Sequence, residues 1–423
     1  MTNDTLTLSG TNVAPSRPKV SPSLWIIAAA LVALALKLCI ALNTQGTNDL
    51  YSFHVFARDL AQRGLHWTYA HRPMFNHPPL AAYYVHGIYS LGNFSALREN
   101  GVTFPFLFRL SGILADFVVV LLMLRLKKRW ALPTWSLLLL ALSPVSIMVS
   151  GFHGNTDPVV VLFVVLAAYL CVRNQPALCG MVLALSCGIK IVPVLLLPAF
   201  FWFWCSRQRT MRFLFPFIMT LTAISIQPLL SFPLPFAKNV LAYGSYWGLW
   251  GITYWLRLTG WSQFAVIDHR NLPLAENIVS NVLKIIVIAT ALMIAWRRRN
   301  MDSRGLFCSI AYVWLAFFAF APGVGAQYLV WLMPFLLVLS PMVFAYVTAA
   351  CSLFLFFFYN TITAGLPWNL GFSMNEIADR WAPWAIWPWL AFAAALTAEW
   401  LRTKRRNPSV RLLSLESVGD SNP

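Results

Sequence analysis

Residues 43–80, NTQGTNDLYSFHVFARDLAQRGLHWTYAHRPMFNHPPL, form a polar and aromatic stretch between two apolar segments, and the rest of the chain is arranged around them. The stretch carries two aspartates, three arginines and four histidines, although only 11% of the chain is charged. A connection of roughly forty residues between membrane helices is long, and long ordered loops usually carry function. We therefore predict an active-site loop on the membrane surface, in which Asp49 is the first acidic residue after the first span.

The composition predicts an all-α, polytopic membrane protein. The 423 residues are 59% hydrophobic and include many apolar runs near the ~20 residues that a helix needs to cross a bilayer. A soluble domain would be less apolar, and a membrane β-barrel would show alternating segments of about ten residues. We expect one transmembrane domain at 24–401, between a disordered cytoplasmic N-terminus at 1–23 and a basic cytoplasmic tail at 402–423.

Twelve spans follow from the apolar runs, and the basic residues orient them. The runs lie at 24–42, 105–124, 134–150, 157–172, 177–189, 191–205, 213–231, 277–296, 305–321, 327–340, 342–359 and 383–401. Lysine and arginine in short loops mark the cytoplasmic side, and the basic clusters alternate in step with these spans. The long first loop, with its interfacial helices, is therefore predicted on the non-cytoplasmic face. Because the net charge of +17 is sorted by side, we expect the lipid bilayer and no nucleic acid as a partner.

Lys190 lies in the middle of an apolar run of 29 residues at 177–205. Arg173 and Arg207 flank the run and both favour the cytoplasm, so we predict a reversal near 189–193 with Lys190 at the outer turn. Lysine near the centre of a membrane helix costs about 2.5–3.5 kcal/mol on insertion scales. An anionic partner is therefore expected, and a lipid phosphate would serve. The alternative is a lysine that extends to the interface.

Two polar motifs on the same face allow either chemistry or simple capping. The carboxylate of Asp49 could take a proton from an acceptor hydroxyl, or it could cap a surface helix. In residues 151–157, GFHGNTD, two glycines precede a helix N-terminus that could bind phosphate, with His153 as a further donor. The alternative is a tight turn capped by Asp157. The motif matches no nucleotide fingerprint.

Further polar residues lie inside or beside the spans. Asp116 lies within the second span, where a charge usually faces a cavity or a partner, and Arg109 is seven residues earlier on the same helical face. Asp116 could equally be hydrogen-bonded for packing alone. Gln327 and Tyr328 lie at an outer turn and could bind a sugar or phosphate. No HExxH, paired cysteine or clustered carboxylate motif is present, so no cofactor is predicted and the sequence does not support a divalent metal.

Taken in order, several segments resemble the C-type glycosyltransferases. The segments are Asp49 followed by HVFARDLAQRG, then FNHPPLAAYY, FRLSGILADFVVVLL, SPVSIMVSGFHGNTDPVVVLFVVLAAYL, ALSCGIKIVPVLLLP and GAQYLVWLMPF. They are most similar to the catalytic subunit of the GPI mannosyltransferase that adds the first mannose and to bacterial polyprenyl-phosphate-mannose mannosyltransferases. One position departs from that pattern: such enzymes often have Asp-x-Asp, and here Thr47 stands two residues before Asp49.

The resemblance implies an integral enzyme of the bacterial cell membrane that transfers a hexose, mannose above all, with inversion. The donor would be a polyprenyl-phosphate-linked sugar, the acceptor a lipid, glycan or protein, and the face non-cytoplasmic. Asp49 would be the general base, and Lys190 with His153 would hold the leaving phosphate. Asp157, Gln327, Tyr328, Arg58 and His77 complete the implied donor-binding set, and Asp116 and Arg109 support it. A transporter or flippase is the alternative, but the internal repeats common in transporters are not found.

Overall fold

The computed structural model describes residues 21–241, 246–265, 267 and 272–406. The segments predicted as an N-terminus at 1–23 and a basic tail at 402–423 therefore lie largely outside the described residues. Within the described ranges the regular secondary structure is helical apart from two strands of two residues each, which confirms the predicted all-α polytopic class.

The helices follow one another with short connections. The α-helices are α1 Pro22–Asn43, α2 Asn48–His71, α3 Pro79–Gly92, α4 Ser95–Glu99, α5 Phe104–Trp130, α6 Thr134–Ala141, α7 Pro144–Ser146, α8 Asp157–Val172, α9 Pro176–Ile189, α10 Leu197–Cys205, α11 Thr210–Ser231, α12 Pro233–Val240, α13 Gly251–Leu258, α14 Leu274–Arg297, α15 Ser303–Phe320, α16 Met333–Leu339, α17 Pro341–Thr363, α18 Asn375–Trp381 and α19 Ile386–Arg406. A π-helix spans Ile147–His153, and 3-10 helices lie at Val192–Leu196, Ser262–Phe264, Ala326–Val330 and Ala382–Ala385. The strands are β1 Gly46–Thr47 and β2 Leu370–Gly371.

Each of the twelve predicted spans corresponds to a helical segment. Seven segments are long and apolar enough to cross a membrane: Pro22–Asn43, Phe104–Trp130, Thr134–His153, Thr210–Ser231, Leu274–Arg297, Ser303–Phe320 and Pro341–Thr363. Four shorter apolar helices match further predicted spans: Asp157–Val172, Pro176–Ile189, Val192–Cys205 and Ala326–Leu339. The last predicted span falls in α19. Because a helix well under ~20 residues does not cross a bilayer alone, twelve full crossings stay a prediction.

The apolar run at 177–205 is interrupted where the sequence predicts. Helix α9 ends at Ile189, Lys190 has an extended backbone (φ −144°, ψ 133°), and a 3-10 helix begins at Val192. Pro193 favours this interruption, because its ring has no amide hydrogen for an α-helical bond. Lys190 therefore lies at a helix break rather than inside one continuous span.

The long loop after α1 is ordered, and it holds α2, α3 and α4. Helix α2 is amphipathic, and its buried side consists of Leu50, Phe53, Phe56, Ala57 and Leu60. This side belongs to an apolar cluster shared with α3 and α5. Strand β1 pairs in parallel with β2, which ties the start of α2 to the connection between α17 and α18. That pairing holds the backbone immediately before Asp49.

A buried charged cluster connects α1, α5 and the segment that leads into the π-helix. Lys37 Nζ donates to Asp116 Oδ2 at 2.7 Å and to Ser146 Oγ at 2.6 Å. Ser146 and Ser150 also donate to Asp116. Arg109 was placed on the same helical face as Asp116, but Asp116 pairs with Lys37 because α1 packs against α5 on that side.

Candidate functional site

Asp49 lies in the first turn of α2, and its side chain is 33% exposed. Three donors converge on a single carboxylate oxygen, Oδ2. Asn155 Nδ2 lies 2.8 Å, His153 Nε2 3.0 Å and Gln327 Nε2 3.1 Å from it. None of the described residues donates a hydrogen bond to Oδ1. The carboxylate is therefore held in place through one oxygen, while the other can accept a hydrogen bond from a substrate hydroxyl.

The π-helix Ile147–His153 carries His153 to this carboxylate. Its widened turn is fixed from outside: Arg109 Nη1 donates to the carbonyl of Gly151 at 3.1 Å, and Thr47 Oγ1 donates to the carbonyl of His153 at 2.9 Å. Short π-helical segments are rare in proteins, but many of those that do occur lie at functional sites. Thr47 lies two residues before Asp49, so the elements that hold the acid and the histidine are joined.

Arg109 acts as a support inside the protein. It is 1% exposed, and its guanidinium also donates to the carbonyls of Ala41 at 2.8 Å and Thr44 at 2.6 Å. These acceptors are carbonyls that the end of α1 leaves without helical partners. Arg109 thus joins the end of α1 to the π-helix.

Lys190 faces the same region from the break after α9. Its Nζ donates to Asp157 Oδ1 at 2.7 Å, and Trp331 Nε1 donates to the same oxygen at 2.5 Å. Nζ also lies 4.0 Å from the centroid of the Tyr328 ring, a cation–π contact. The anionic partner in the structure is Asp157, whereas the sequence suggested a lipid phosphate. Asp157 is fully buried beside Lys190 and lines neither of the two cavities described below.

Two cavities meet at Asp49. The larger has a volume of about 350 Å³, and its polar lining includes Asp49, His77, Asn155, Lys190, Gln327 and Tyr328. Its apolar lining includes Val192, Val194, Leu195, Val287 and Ile288. The smaller has a volume of about 180 Å³ and is lined in part by Asn48, Asp49, His153, Trp250, Gln327, Phe354, Phe358, Asn375 and Trp381. Asp49 and Gln327 line both cavities, so they lie where the two spaces join.

The electrostatics of the site favour an ionised Asp49 and an uncharged His77. Burial by itself would raise the pKa of Asp49, but hydrogen bonds from His153 and Asn155 and the charge of Lys190 hold that pKa below its ordinary value. The pKa of His77 is lowered to about 3: burial is the largest cause, the charge of Lys190 lowers the pKa as well, and the charge of Asp49 raises it by a smaller amount. At neutral pH the site therefore presents a carboxylate, and His77 is uncharged.

Of the eight residues predicted as the base or the donor-binding set, six come together and two line neither cavity; the predicted supporting residues Asp116 and Arg109 line neither cavity either. Asp49, His77, His153, Lys190, Gln327 and Tyr328 all line one cavity or both. Arg58 is exposed on the polar side of α2, and Asp157 is buried behind Lys190. Sequence reasoning missed Asn155, Trp331 and Tyr359. Asn155 stands inside the GFHGNTD motif and could have been named there, but the contacts of Trp331 and Tyr359 depend on packing between distant helices.

Among the residues that the structure describes, no group of three or more His, Cys, Asp or Glu side chains could hold a metal ion. No curated protein matches the sequence. The family model of glycosyltransferase family 87 matches residues 102–322, slightly more than half of the chain. The matched region contains His153, Asn155, Asp157 and Lys190. The chain therefore belongs to glycosyltransferase family 87, a family of C-type membrane glycosyltransferases, as the resemblance of its motifs implied.

Proposed function

We propose that this glycosyltransferase moves a hexose, mannose above all, from a polyprenyl-phosphate sugar to an acceptor hydroxyl with inversion at the anomeric carbon. One observation carries the proposal: Asp49 and Lys190 line the same cavity. A carboxylate with a free oxygen suits an acceptor hydroxyl, and an ammonium suits a leaving phosphate. The two groups come from stretches 141 positions apart in the chain.

The larger cavity suits a lipid-linked phosphate. Lys190 provides charge at its polar end, with Gln327 and Tyr328 beside it. The apolar residues contributed by α14 and by the segment after Lys190 suit an isoprenoid chain, since a hydrocarbon gains from leaving water along such a wall. A water-soluble nucleotide sugar has no hydrocarbon chain that would gain from contact with that apolar lining.

In the proposed step, the acceptor hydroxyl attacks the anomeric carbon as Asp49 Oδ1 takes its proton. A carbon–oxygen bond forms to the acceptor, and the bond from the anomeric carbon to the donor phosphate oxygen breaks. The bonding electrons leave with the phosphate, and Lys190 stabilises the negative charge that develops there. A single displacement of this kind inverts the anomeric configuration. No second carboxylate nucleophile is required.

We assign the acceptor to the smaller cavity, on the other side of Asp49. Its aromatic wall, with Trp250 and Trp381, suits the face of a sugar ring, and Asn48 and Asn375 add amide groups. The acceptor itself would be a lipid, glycan or protein. We place the site on the non-cytoplasmic face of a bacterial cell membrane, because the basic clusters lie at the opposite helix ends.

The test is transfer from radiolabelled polyprenyl-phosphate mannose, with the glucose donor in parallel, by purified enzyme and by an Asp49→Asn variant. The variant keeps the shape of the side chain and loses the base, so activity should fall by about 10²–10⁴-fold. Glu99→Gln is the control, because Glu99 is an exposed acid on α4. Full activity in folded Asp49→Asn enzyme, or label transferred from neither donor, would overturn the proposal.

A further inference from the structure

Tyr359 is a fully buried tyrosine of α17 whose hydroxyl lies in the site without lining either cavity. Its Oη is 3.0 Å from His153 Nδ1. The ring is enclosed by other aromatic rings, with centroids 5.3 Å from Phe152 and 5.2 Å from Trp368. This packing holds the hydroxyl of Tyr359 in a fixed position.

The partners of His153 define its tautomer. An ionised carboxylate only accepts hydrogen bonds, so Nε2 must carry the hydrogen that points at Asp49 Oδ2, 3.0 Å away. When the imidazole is neutral, Nδ1 is then an acceptor, and in that state the hydroxyl of Tyr359 is its donor. Without that donor, the neutral ring can place its hydrogen on Nδ1 and turn the lone pair of Nε2 toward the carboxylate.

We propose that Tyr359 is a positioning residue for the reaction: it fixes the Nε2–H tautomer of His153 and thereby the orientation of the Asp49 carboxylate. This inference rests on the proposed role of Asp49 as base. Tyr359 touches no substrate and acts through two hydrogen bonds in series. The relay connects α17, the π-helix and α2, three elements that are far apart in the sequence.

The same relay sets how Asp49 responds to pH. Among the described residues, the titratable groups that surround Asp49 are His153 from the π-helix, Lys190 from the break after α9, His77 from the loop after α2, Tyr246 and Tyr328 from the cavity walls, and Tyr359 itself. Only His153 donates through a ring nitrogen whose hydrogen can move. Loss of the Tyr359 hydroxyl should weaken that donation and make Asp49 easier to protonate.

The experiment compares wild type with Tyr359→Phe in detergent-purified enzyme. We expect kcat to fall roughly tenfold, which is the order of the loss seen in metal sites when a hydrogen-bond partner of a metal ligand is removed. KM for both substrates should stay unchanged. The acid side of the pH profile of kcat should move to higher pH. A merely structural defect would instead scale kcat equally at all pH values. Tyr84→Phe is the control, because it removes a half-buried tyrosine hydroxyl whose hydrogen bonds go to Phe108 and Ser111 on α5 rather than to His153 or Asp49.

A double-mutant cycle separates this inference from the proposed function. In a His153→Ala background, Tyr359→Phe should change kcat by less than about twofold, because the relay is already broken. If Asp49→Asn abolishes transfer but Tyr359→Phe leaves kcat and its pH profile unchanged, the positioning role is wrong and the base assignment stands. If Asp49→Asn itself stays active, the base assignment has failed. Equal losses from Tyr359→Phe in both backgrounds would also overturn the relay.

Discussion

Asp49 combines partial exposure with three hydrogen-bond donors on one oxygen. Such donors stabilise the charged form of a carboxylate, and the pKa of Asp49 lies below its ordinary value of 3.8 as a result. A carboxylate with a lowered pKa stays ionised above that pKa and loses its charge only as the pH falls through it. The base is therefore available throughout the neutral range.

Removal of Asn155 tests this account at the level of one hydrogen bond. In Asn155→Ala the carboxylate loses its shortest donor, the protonated acid becomes relatively more stable, and the pKa of Asp49 should rise. In this variant the acid side of the pH profile of kcat/KM should then shift to higher pH. In wild type kcat/KM should stay constant from about pH 7 to about pH 5, because this range lies above the lowered pKa of Asp49. Asn281→Ala, which removes an exposed amide on α14, should leave the profile unchanged. An Asn155→Ala profile that superimposes on wild type would contradict the assignment.

At the scale of elements, the spans and the break at Lys190 could be predicted from the sequence, because a bilayer demands apolar runs and penalises an isolated charge. The π-helix could not be predicted, because its widened turn is held by Arg109 and Thr47 from other segments. The partner of Lys190 was missed for the same reason. Asp157 lies 33 residues away, and only the packing of α8 against α9 brings the two together.

Gly154, which ends the π-helix, gives a test of that element. Its φ is +77°, and a Cβ added there would lie 2.2 Å from Leu50 Cδ1, beside Asp49. Gly154→Ala should lose stability from the left-handed backbone, about 1–2 kcal/mol, and should also push aside the side chain of Leu50, the neighbour of Asp49, and lower kcat. Gly101→Ala is matched, since Gly101 has φ +73° and no atom within 4 Å of an added Cβ.

Thermal unfolding and transfer rates would be measured on both glycine variants in the same detergent. Both should unfold at lower temperature than wild type, and only Gly154→Ala should lose activity per folded molecule. Equal activities in the two variants would mean that the end of the π-helix does not control the position of Asp49.

At the scale of the whole molecule, the site is assembled from segments in the N-terminal, central and C-terminal parts of the chain. The site residues come from five different segments, which contribute Asp49, His153, Lys190, Gln327 and Tyr359. All of them except Tyr359 lie near a break or an end of a helix. The order of the motifs suggests that these residues converge, but it does not determine the distances between them. Distances between segments so far apart in sequence depend on how the spans pack, and hydropathy does not encode that packing.

The ion pair of Lys37 with Asp116 is the buried contact that should hold this assembly together. It joins α1 to α5 at 2.7 Å, and through Ser146 and Ser150 it reaches the π-helix that carries His153. Removal of one partner from a buried pair leaves an uncompensated charge and typically costs about 3–5 kcal/mol. Replacement of both partners by apolar side chains of similar volume is often neutral.

We therefore expect Lys37→Met alone to lower the unfolding temperature strongly, and Lys37→Met combined with Asp116→Leu to recover most of the loss. The double variant should nevertheless transfer sugar more slowly than wild type, because Ser146 and Ser150 would lose their common acceptor and the π-helix one of its supports. Unfolding temperature and kcat, measured on the same detergent preparations, separate the two effects. A double variant that is as unstable as Lys37→Met, or that is stable and fully active, would show that this pair does not connect the packing of α1 and α5 to the site.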